Sequence, residues 1–342
     1  MLVDPVSTGV SLGSFVGFLG VYNWLNCQLN ECCDKPWVTY DTEALYQNLS
    51  SRLFGQHLVT KTVASAVHRH LTNPKVNKAL ALSFHGWTGN GKSYVSRIIA
   101  DSLYKNGMKS QYVHHFVGQR DFPDASKVTQ YQLDLQRQIE RAVDQCRYSL
   151  FIFEELDKME PGVLDAIYPF LDHHESLAGI DYRNSIFIFI SNTGGEAINR
   201  LTLEHWVSGK LREGITLYDV EPAIMGSAFN NKGGLQFAHL IKNHLIDHYV
   251  PFLPLERKHV RQIILAYCQT IGMNCHEELV EEVLKHVTFF PNDLKIFAAT
   301  GGKRVDKKVD LVLETENAPD FYKTSYGDPR AEKALRHSKT EL

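Results

Sequence analysis

Gly86-Trp87-Thr88-Gly89-Asn90-Gly91-Lys92-Ser93 is the stretch on which the fold turns. It satisfies the phosphate-loop pattern G-x-x-x-x-G-K-[ST] at every required position. The apolar run Ala79-Leu80-Ala81-Leu82-Ser83-Phe84 leads in as a buried strand does. Tyr94 to Tyr104 leads out with apolar residues at helical spacing. In a strand–turn–helix context, glycines let backbone N–H groups curl around phosphates, and the helix N-terminus adds partial positive charge. The expected nucleotide cradle is therefore Gly86, Trp87, Thr88, Gly89, Asn90, Gly91, Lys92, Ser93 and Tyr94. Lys92 reaches the β- and γ-phosphates as a point charge, and the Ser93 hydroxyl ligates Mg²⁺.

Further along, Ser149-Leu150-Phe151-Ile152-Phe153-Glu154-Glu155-Leu156-Asp157-Lys158 places two carboxylates at the end of a second buried strand, the Walker B arrangement. Glu154 is expected to hold Mg²⁺ through water, and Glu155 to orient and polarise the attacking water. A plain strand-to-helix junction with acids at the helix N-terminus is the competing explanation. A third buried strand, Asn184 to Ile190, ends at Ser191-Asn192-Thr193-Gly194. Asn192 suits either a γ-phosphate sensor or a cap on the following helix.

The 342 residues are 44% hydrophobic and 22% charged, enough for a core of normal size in two domains or one large domain with appendages. A formal net charge of −3 gives no electrostatic reason to expect a nucleic-acid partner. Six cysteines (27, 32, 33, 146, 268, 275) form neither a dense disulfide framework nor a zinc-site spacing. Half or more read as buried thiols.

Gly9 to Leu25 carries no charge and ends near Tyr22 and Trp24, aromatics that suit a membrane interface. It reads as a membrane-associating segment, or else as a buried helix hairpin, and it lacks the basic region of a secretory signal. The chain ends in Lys339-Thr340-Glu341-Leu342, one residue from the Lys-Asp-Glu-Leu retention address. With the sequon Asn48-Leu49-Ser50 these features favour the endoplasmic reticulum, where a disulfide between the Cys27/Cys32/Cys33 group and Cys146 is permitted.

Thr42 to Leu71 is helical and amphipathic, broken at Phe54-Gly55-Gln56-His57; such a pair before the first strand often covers the nucleotide base. Further helices are expected over 126–146, 161–171, 195–206, 217–227 and 237–245, and strands over 111–116 and 184–190. Pro251 and Pro254 mark a boundary, and amphipathic helices over 259–271 and 277–287 follow. The expected organisation is an N-terminal segment with its cysteine cluster (1–38), a large nucleotide-binding domain (39–250), a small helical domain (251–313) and a flexible tail (314–342).

A phosphate loop, an acidic pair and a polar sensor on successive strands, followed by a helical domain, resemble an AAA+ ATPase: an α/β large domain with a parallel sheet flanked by helices, then a small, mostly helical domain. The details resemble one branch, the torsin family. Gly86-Trp87-Thr88-Gly89-Asn90-Gly91-Lys92, Phe151-Ile152-Phe153-Glu154-Glu155-Leu156-Asp157-Lys158-Met159, Phe187-Ile188-Phe189-Ile190-Ser191-Asn192 and Val250-Pro251-Phe252-Leu253-Pro254-Leu255 all look torsin-like. So do Asp4-Pro5-Val6-Ser7 and Glu31-Cys32-Cys33, and the resemblance runs from about Asp4 to Leu313. It implies an ATP- and Mg²⁺-dependent ATPase of the endoplasmic reticulum lumen and nuclear envelope. It also implies activation by a membrane-anchored luminal cofactor of the lamina-associated polypeptide type, which supplies an arginine finger within a mixed ring. In related nucleotidases such an arginine is worth roughly 10³–10⁵ in rate.

Three positions depart from that family. Ser93 stands where torsins usually carry Asn, and Glu154 where they usually carry Asp. The sensor-2 motif Gly-Cys-Lys is here Gly301-Gly302-Lys303. Lys303 keeps its role toward the γ-phosphate. The position matching the partner cysteine is Ile263, so redox control through that pair is not expected. Two further readings compete with the activated ATPase. One is a nucleotide-gated binding or scaffold module. The other is a Clp-like unfoldase, for which 117–123 offers Phe122 as the aromatic of a pore loop but no Gly-Tyr-Val-Gly.

Overall fold

A computed structural model describes residues 27–230 and 244–317. The apolar stretch 9–25, residues 237–243 of the expected helix over 237–245, and the Lys-Thr-Glu-Leu end lie outside the described residues. Leu245, at the far end of that expected helix, is not helical.

Helices α1 (Thr42–Arg52) and α2 (His57–Thr72) come first, separated at the expected break. Asp41 caps α1 by accepting from the Ala44 N–H at 2.8 Å. Then follow β1 (Leu80–Gly86), α3 (Lys92–Leu103), β2 (Val113–Val117), α4 (Val128–Gln145), β3 (Leu150–Glu154), β4 (Ile186–Ser191), α5 (Gly195–Val207), α6 (Leu217–Asn230) and β5 (His248–Phe252). The strands form one five-stranded sheet in the order β2-β3-β4-β1-β5, and every pairing is parallel. The carboxyl ends of β3, β4 and β1 are therefore neighbours, which is where open α/β sheets place their ligands.

The alternation of Phe and Ile along Phe151-Ile152-Phe153 and Phe187-Ile188-Phe189-Ile190 explains how both faces of this sheet are covered. The phenylalanines point to one side, where Phe151 stacks on Phe187 at 4.7 Å and Phe153 on Phe189 at 5.6 Å. That side is closed by Leu135 and Ile139 of α4 and Ile198 of α5. The isoleucines point to the other, against Leu45 and Leu49 of α1 and Ile98 and Ile99 of α3. Each such fully buried side chain contributes about 1.5–3 kcal/mol. Pro251 sits inside β5, an edge strand, where a missing N–H costs no ladder bond.

The segment 161–171, expected as one helix, is a 3₁₀ turn (Val163–Ile167) followed by a single α-turn (Tyr168–Leu171). Pro169 lies inside the window and removes a helical N–H. Phe122 is 5% exposed and packs against Phe116 and Tyr131. It is a core residue and does not project as the aromatic of a pore loop.

The C-terminal part has its own core, built from α7 (Arg257–Thr270), α8 (Glu277–Lys285), the short hairpin β6 (Phe289–Phe290) with β7 (Phe297–Ala298), and α9 (Val305–Asn317). Val305, Val309 and Val312 bury one face of α9, and the helix carries the chain to Asn317, past the polarity change at Glu314.

All six cysteines are oxidised: Cys27–Cys32, Cys33–Cys146 and Cys268–Cys275. The expected bond to Cys146 thus comes from Cys33, and the reading of half of them as thiols is corrected. Asn48 of the sequon is half-buried on α1, donating to Ser102 Oγ at 3.1 Å. Among the described residues no helix is long and apolar enough to cross a membrane.

Candidate functional site

The loop after β1 is held from behind. Gln56, in the break between α1 and α2, donates to the Asn90 carbonyl at 3.1 Å and the Leu253 carbonyl at 2.8 Å, and accepts from the Leu253 N–H at 2.9 Å. Asn90 is 2% exposed and is held on the inner side of the loop. Gly91 adopts φ +102 as the first cap of α3, with no side-chain cap bond and no acid in the first turn. The first N–H groups of α3 are thus without side-chain competition for an anion. Gly89 (φ +81) lies so close to the C-terminal part that a Cβ would fall 1.9 Å from the Thr300 carbonyl oxygen. The Gly302 N–H donates to the Gly89 carbonyl at 2.9 Å.

A cleft of about 320 Å³ opens in front of the loop. Thr88, Gly89, Gly91, Lys92, Ser93 and Tyr94 line it, together with Glu154, Glu155, Asp157, Asn192 and Lys303. Every expected catalytic and metal-binding residue is among them. Gly86, Trp87 and Asn90 are not; they shape the loop from outside the cleft.

Lys92 is 7% exposed, and its ammonium donates to the carbonyls of Gly86 (2.6 Å) and Trp87 (2.9 Å) and to Asn192 Oδ1 (3.0 Å). Burial pushes its pKa down to about 8, against the opposing pull of Asp157 and Glu154. Asn192 is oriented by Asp157, which accepts from its backbone N–H at 3.1 Å and its side-chain amide at 3.2 Å. The cap of α5 is Gly194, so the Asn192 side chain serves the cleft and not the helix.

Glu154 accepts from the Ser93 hydroxyl and from His115 Nε2 at 2.9 Å. The His115 hydrogen bond, with that from Ser93, holds its carboxyl below the usual range although burial pulls the other way. This all-oxygen pair of hydroxyl and carboxylate suits a hard cation such as Mg²⁺. Glu155 sits at φ +59, a left-handed conformation that costs a non-glycine residue on the order of 1 kcal/mol. Its backbone packs on Gly118, where a Cβ would meet the Glu155 carbonyl at 2.5 Å, and its carboxylate pairs with Lys158 at 2.8 Å.

Sequence reasoning passed over His115, Asp157 and Gln56 as functional positions. Asp157 stood inside the quoted acidic motif without a role. The contact between His115 and Glu154 depends on β2 lying beside β3, which no local pattern announces.

A second buried cation, Arg212, closes the joint between the two parts of the chain. It donates to the Gly55 carbonyl (3.1 and 2.7 Å), to the Pro254 carbonyl (2.8 Å) and to Glu256 (3.4 Å). Glu256 and His259 form the capping box that starts α7. Gly302 and Ile263 lie side by side: a Cβ on Gly302 would come within 2.8 Å of Ile263 Cδ1.

Comparison with known proteins agrees with this geometry. A family model described as Torsin matches residues 27–153, and one described as Torsin-1A, C-terminal domain, matches residues 255–311. A torsin-like protein of Caenorhabditis elegans is 44% identical over 299 residues, covering 86% of this chain and 84% of its own. Among solved structures, the S. cerevisiae Hsp104-ADP complex superposes with a TM-score of 0.56 at 20% identity, over 88% of this chain and 49% of that one. The extended Hsp104:casein complex gives 0.55 at 20% identity, over 92% and 50%. The chain spans about half the length of the Hsp104 chains it matches, and at that identity the likeness bears on the fold alone.

Proposed function

The chain belongs to the torsin family of AAA+ ATPases, and from that premise we propose that it binds ATP with Mg²⁺ in the cleft around Lys92 and hydrolyses it to remodel proteins or membranes. The observation that carries the reading is the convergence of Lys92, Ser93, Glu154, Glu155, Asn192 and Lys303 on one cleft from four separate stretches of sequence.

Each side chain has a task its surroundings support. The N-terminal N–H groups of α3 and the Lys92 ammonium receive phosphate oxygens. Ser93 and Glu154 would hold Mg²⁺, which would supply positive charge against the phosphates. Glu155 orients the attacking water and accepts its proton, while Lys158 steadies the carboxylate. Asn192 and Lys303, both lining the cleft, meet the terminal phosphate.

Among the described residues no arginine lines the cleft. This supports an arginine supplied from outside, by a membrane-anchored luminal activator of the lamina-associated polypeptide type in a homo- or hetero-oligomeric ring. The site of action proposed is the endoplasmic reticulum lumen and the nuclear envelope, with residues 9–25 associating with the membrane. The test is Glu155→Gln with ATP and activator: complex retained, turnover lowered about 10²–10⁴-fold. An unchanged rate, or no hydrolysis by the parent chain with activator, would sink the proposal. The His115 bond to Glu154 favours one second reading, a nucleotide-gated scaffold with residual hydrolysis, because it occupies a carboxylate oxygen otherwise available to the metal shell. Single-turnover rates that do not respond to activator would select it.

A further inference from the structure

His85 is fully buried on β1, immediately before the phosphate loop, and the functions assigned above do not use it. Its ring joins two strand ends. Nδ1 lies 3.1 Å from the Thr193 carbonyl and 3.3 Å from Thr193 Oγ1, and Nε2 lies 2.7 Å from Ser83 Oγ. A carbonyl oxygen only accepts, so Nδ1 carries the proton; Nε2 then accepts from the Ser83 hydroxyl, and one neutral tautomer satisfies both bonds. Burial keeps the ring neutral, with a pKa down at about 4, lowered further by Lys92. Thr193 is fixed in turn by Ser191, whose Oγ accepts from the Thr193 N–H at 3.1 Å and lies 2.9 Å from its hydroxyl.

The residues on either side of this bond are those that hold Lys92. The carbonyl of Gly86, next to His85, and the side chain of Asn192, next to Thr193, both accept from the ammonium. Beyond the parallel ladder, which reaches His85 opposite Ser191, the tips of β1 and β4 are joined by two side-chain links, one through Lys92 and one through His85. A phosphate competes for the first link, because it takes up ammonium N–H groups. It does not compete for the second, which lies inside the sheet.

We propose that His85 is a positioning residue for the phosphate sensor: its Nδ1–H bond to Thr193 keeps Asn192 in place against the phosphate loop when Lys92 turns to a nucleotide. The proposal rests on the nucleotide-binding reading given above. It assigns His85 to discrimination between nucleoside triphosphate and diphosphate, and not to binding of either as such.

The experiment measures Mg²⁺-dependent affinity for ADP and for a non-hydrolysable ATP analogue, with thermal unfolding of each variant. In His85→Leu the preference for the triphosphate should fall about fivefold, the worth of one net hydrogen bond, while ADP affinity stays within about threefold. His85→Asn, whose amide N–H takes the place of Nδ1–H, should restore the preference. A core residue with no positioning role would lower the melting temperature in both variants and leave the ratio unchanged. An unchanged ratio in folded His85→Leu, or an equal loss in His85→Asn, overturns the proposal. Should His85→Leu not fold, Ser83→Ala decides, because it frees the tautomer without changing the packing. A ratio lowered about two- to threefold then supports the role, and an unchanged ratio overturns it. A parent chain that binds neither nucleotide overturns the function as well, whereas parent binding with an unaltered ratio removes only the role of His85.

Discussion

Lys92 and Arg212 are both buried cations, and their surroundings differ in one respect. Arg212 has a direct carboxylate partner in Glu256 and spreads its remaining donors over the Gly55 and Pro254 carbonyls. Burial still lowers its pKa to about 10. Lys92 has only neutral acceptors within hydrogen-bond distance, and Asp157 and Glu154 reach it through space alone, so burial brings it to about 8. One cation is neutralised within the fold and makes a joint. The other is left short of negative charge, the condition of a group that awaits an anion.

That contrast is broken most directly at the joint. Arg212→Met leaves the Gly55 and Pro254 carbonyls without their donor while Glu256 keeps Lys258 at 3.1 Å, and should cost about 2–5 kcal/mol in urea or thermal unfolding. A loss well under that would mean Arg212 is not structural. Lys92→Ala should do the reverse: hydrolysis with activator falls about 10²–10³-fold, a loss of the size seen when one transition-state donor is removed, while the melting temperature holds or rises. A fall in both would put the two cations in one class.

A smaller effect sharpens the joint. His259 is pushed down to about 3 by burial and by the charges of Arg212, Lys258 and His57. Between about pH 6.5 and 3 the unfolded chain therefore binds the proton that the folded chain refuses. Stability is complete above that window and is lost as pH falls through it, by up to about 1.4 kcal/mol per pH unit. His85, lowered to about 4, acts in the same direction. His259→Asn should flatten the slope of unfolding free energy between pH 6 and 5, and Arg212→Met should flatten it partly; a slope untouched by either excludes His259 as its source. The smallest change concerns an exposed cation. Arg52 lies 5.6 Å from the Tyr94 ring centre, and Arg52→Ala should shift stability by about 0.5–1 kcal/mol, read in a double-mutant cycle with Tyr94.

What the sequence made legible is what local patterns encode. Apolar runs announced β1, β3 and β4, and the loop, the acid pair and Asn192 each followed a strand whose end could be read directly. The unread contacts cross long stretches of chain. His85 meets Thr193 across 108 residues and Arg212 meets Gly55 across 157, and neither pairing has a signature shorter than the fold. Strand order brought His115 to Glu154. In the segment 161–171, Pro161 suits a helix start, but Pro169 within it interrupts a continuous helix. The choice of Cys33 over Cys27 and Cys32 depended on which one the chain path sets against Cys146, at a Cα separation of 5.2 Å.

The Cys33–Cys146 bond has a mechanical consequence. Cys146 closes α4 and stands just ahead of β3, the strand whose far end carries Glu154 and leads into Glu155. Tension on the chain ahead of Cys33 is therefore shared between the backbone, which runs on to Val38 and its bridge to Tyr104, and a covalent link to the base of β3, whose far end bears the two carboxylates. A tether to a surface would not merely localise the molecule; it would place the anchor and the hydrolytic acids at opposite ends of one stiff rod.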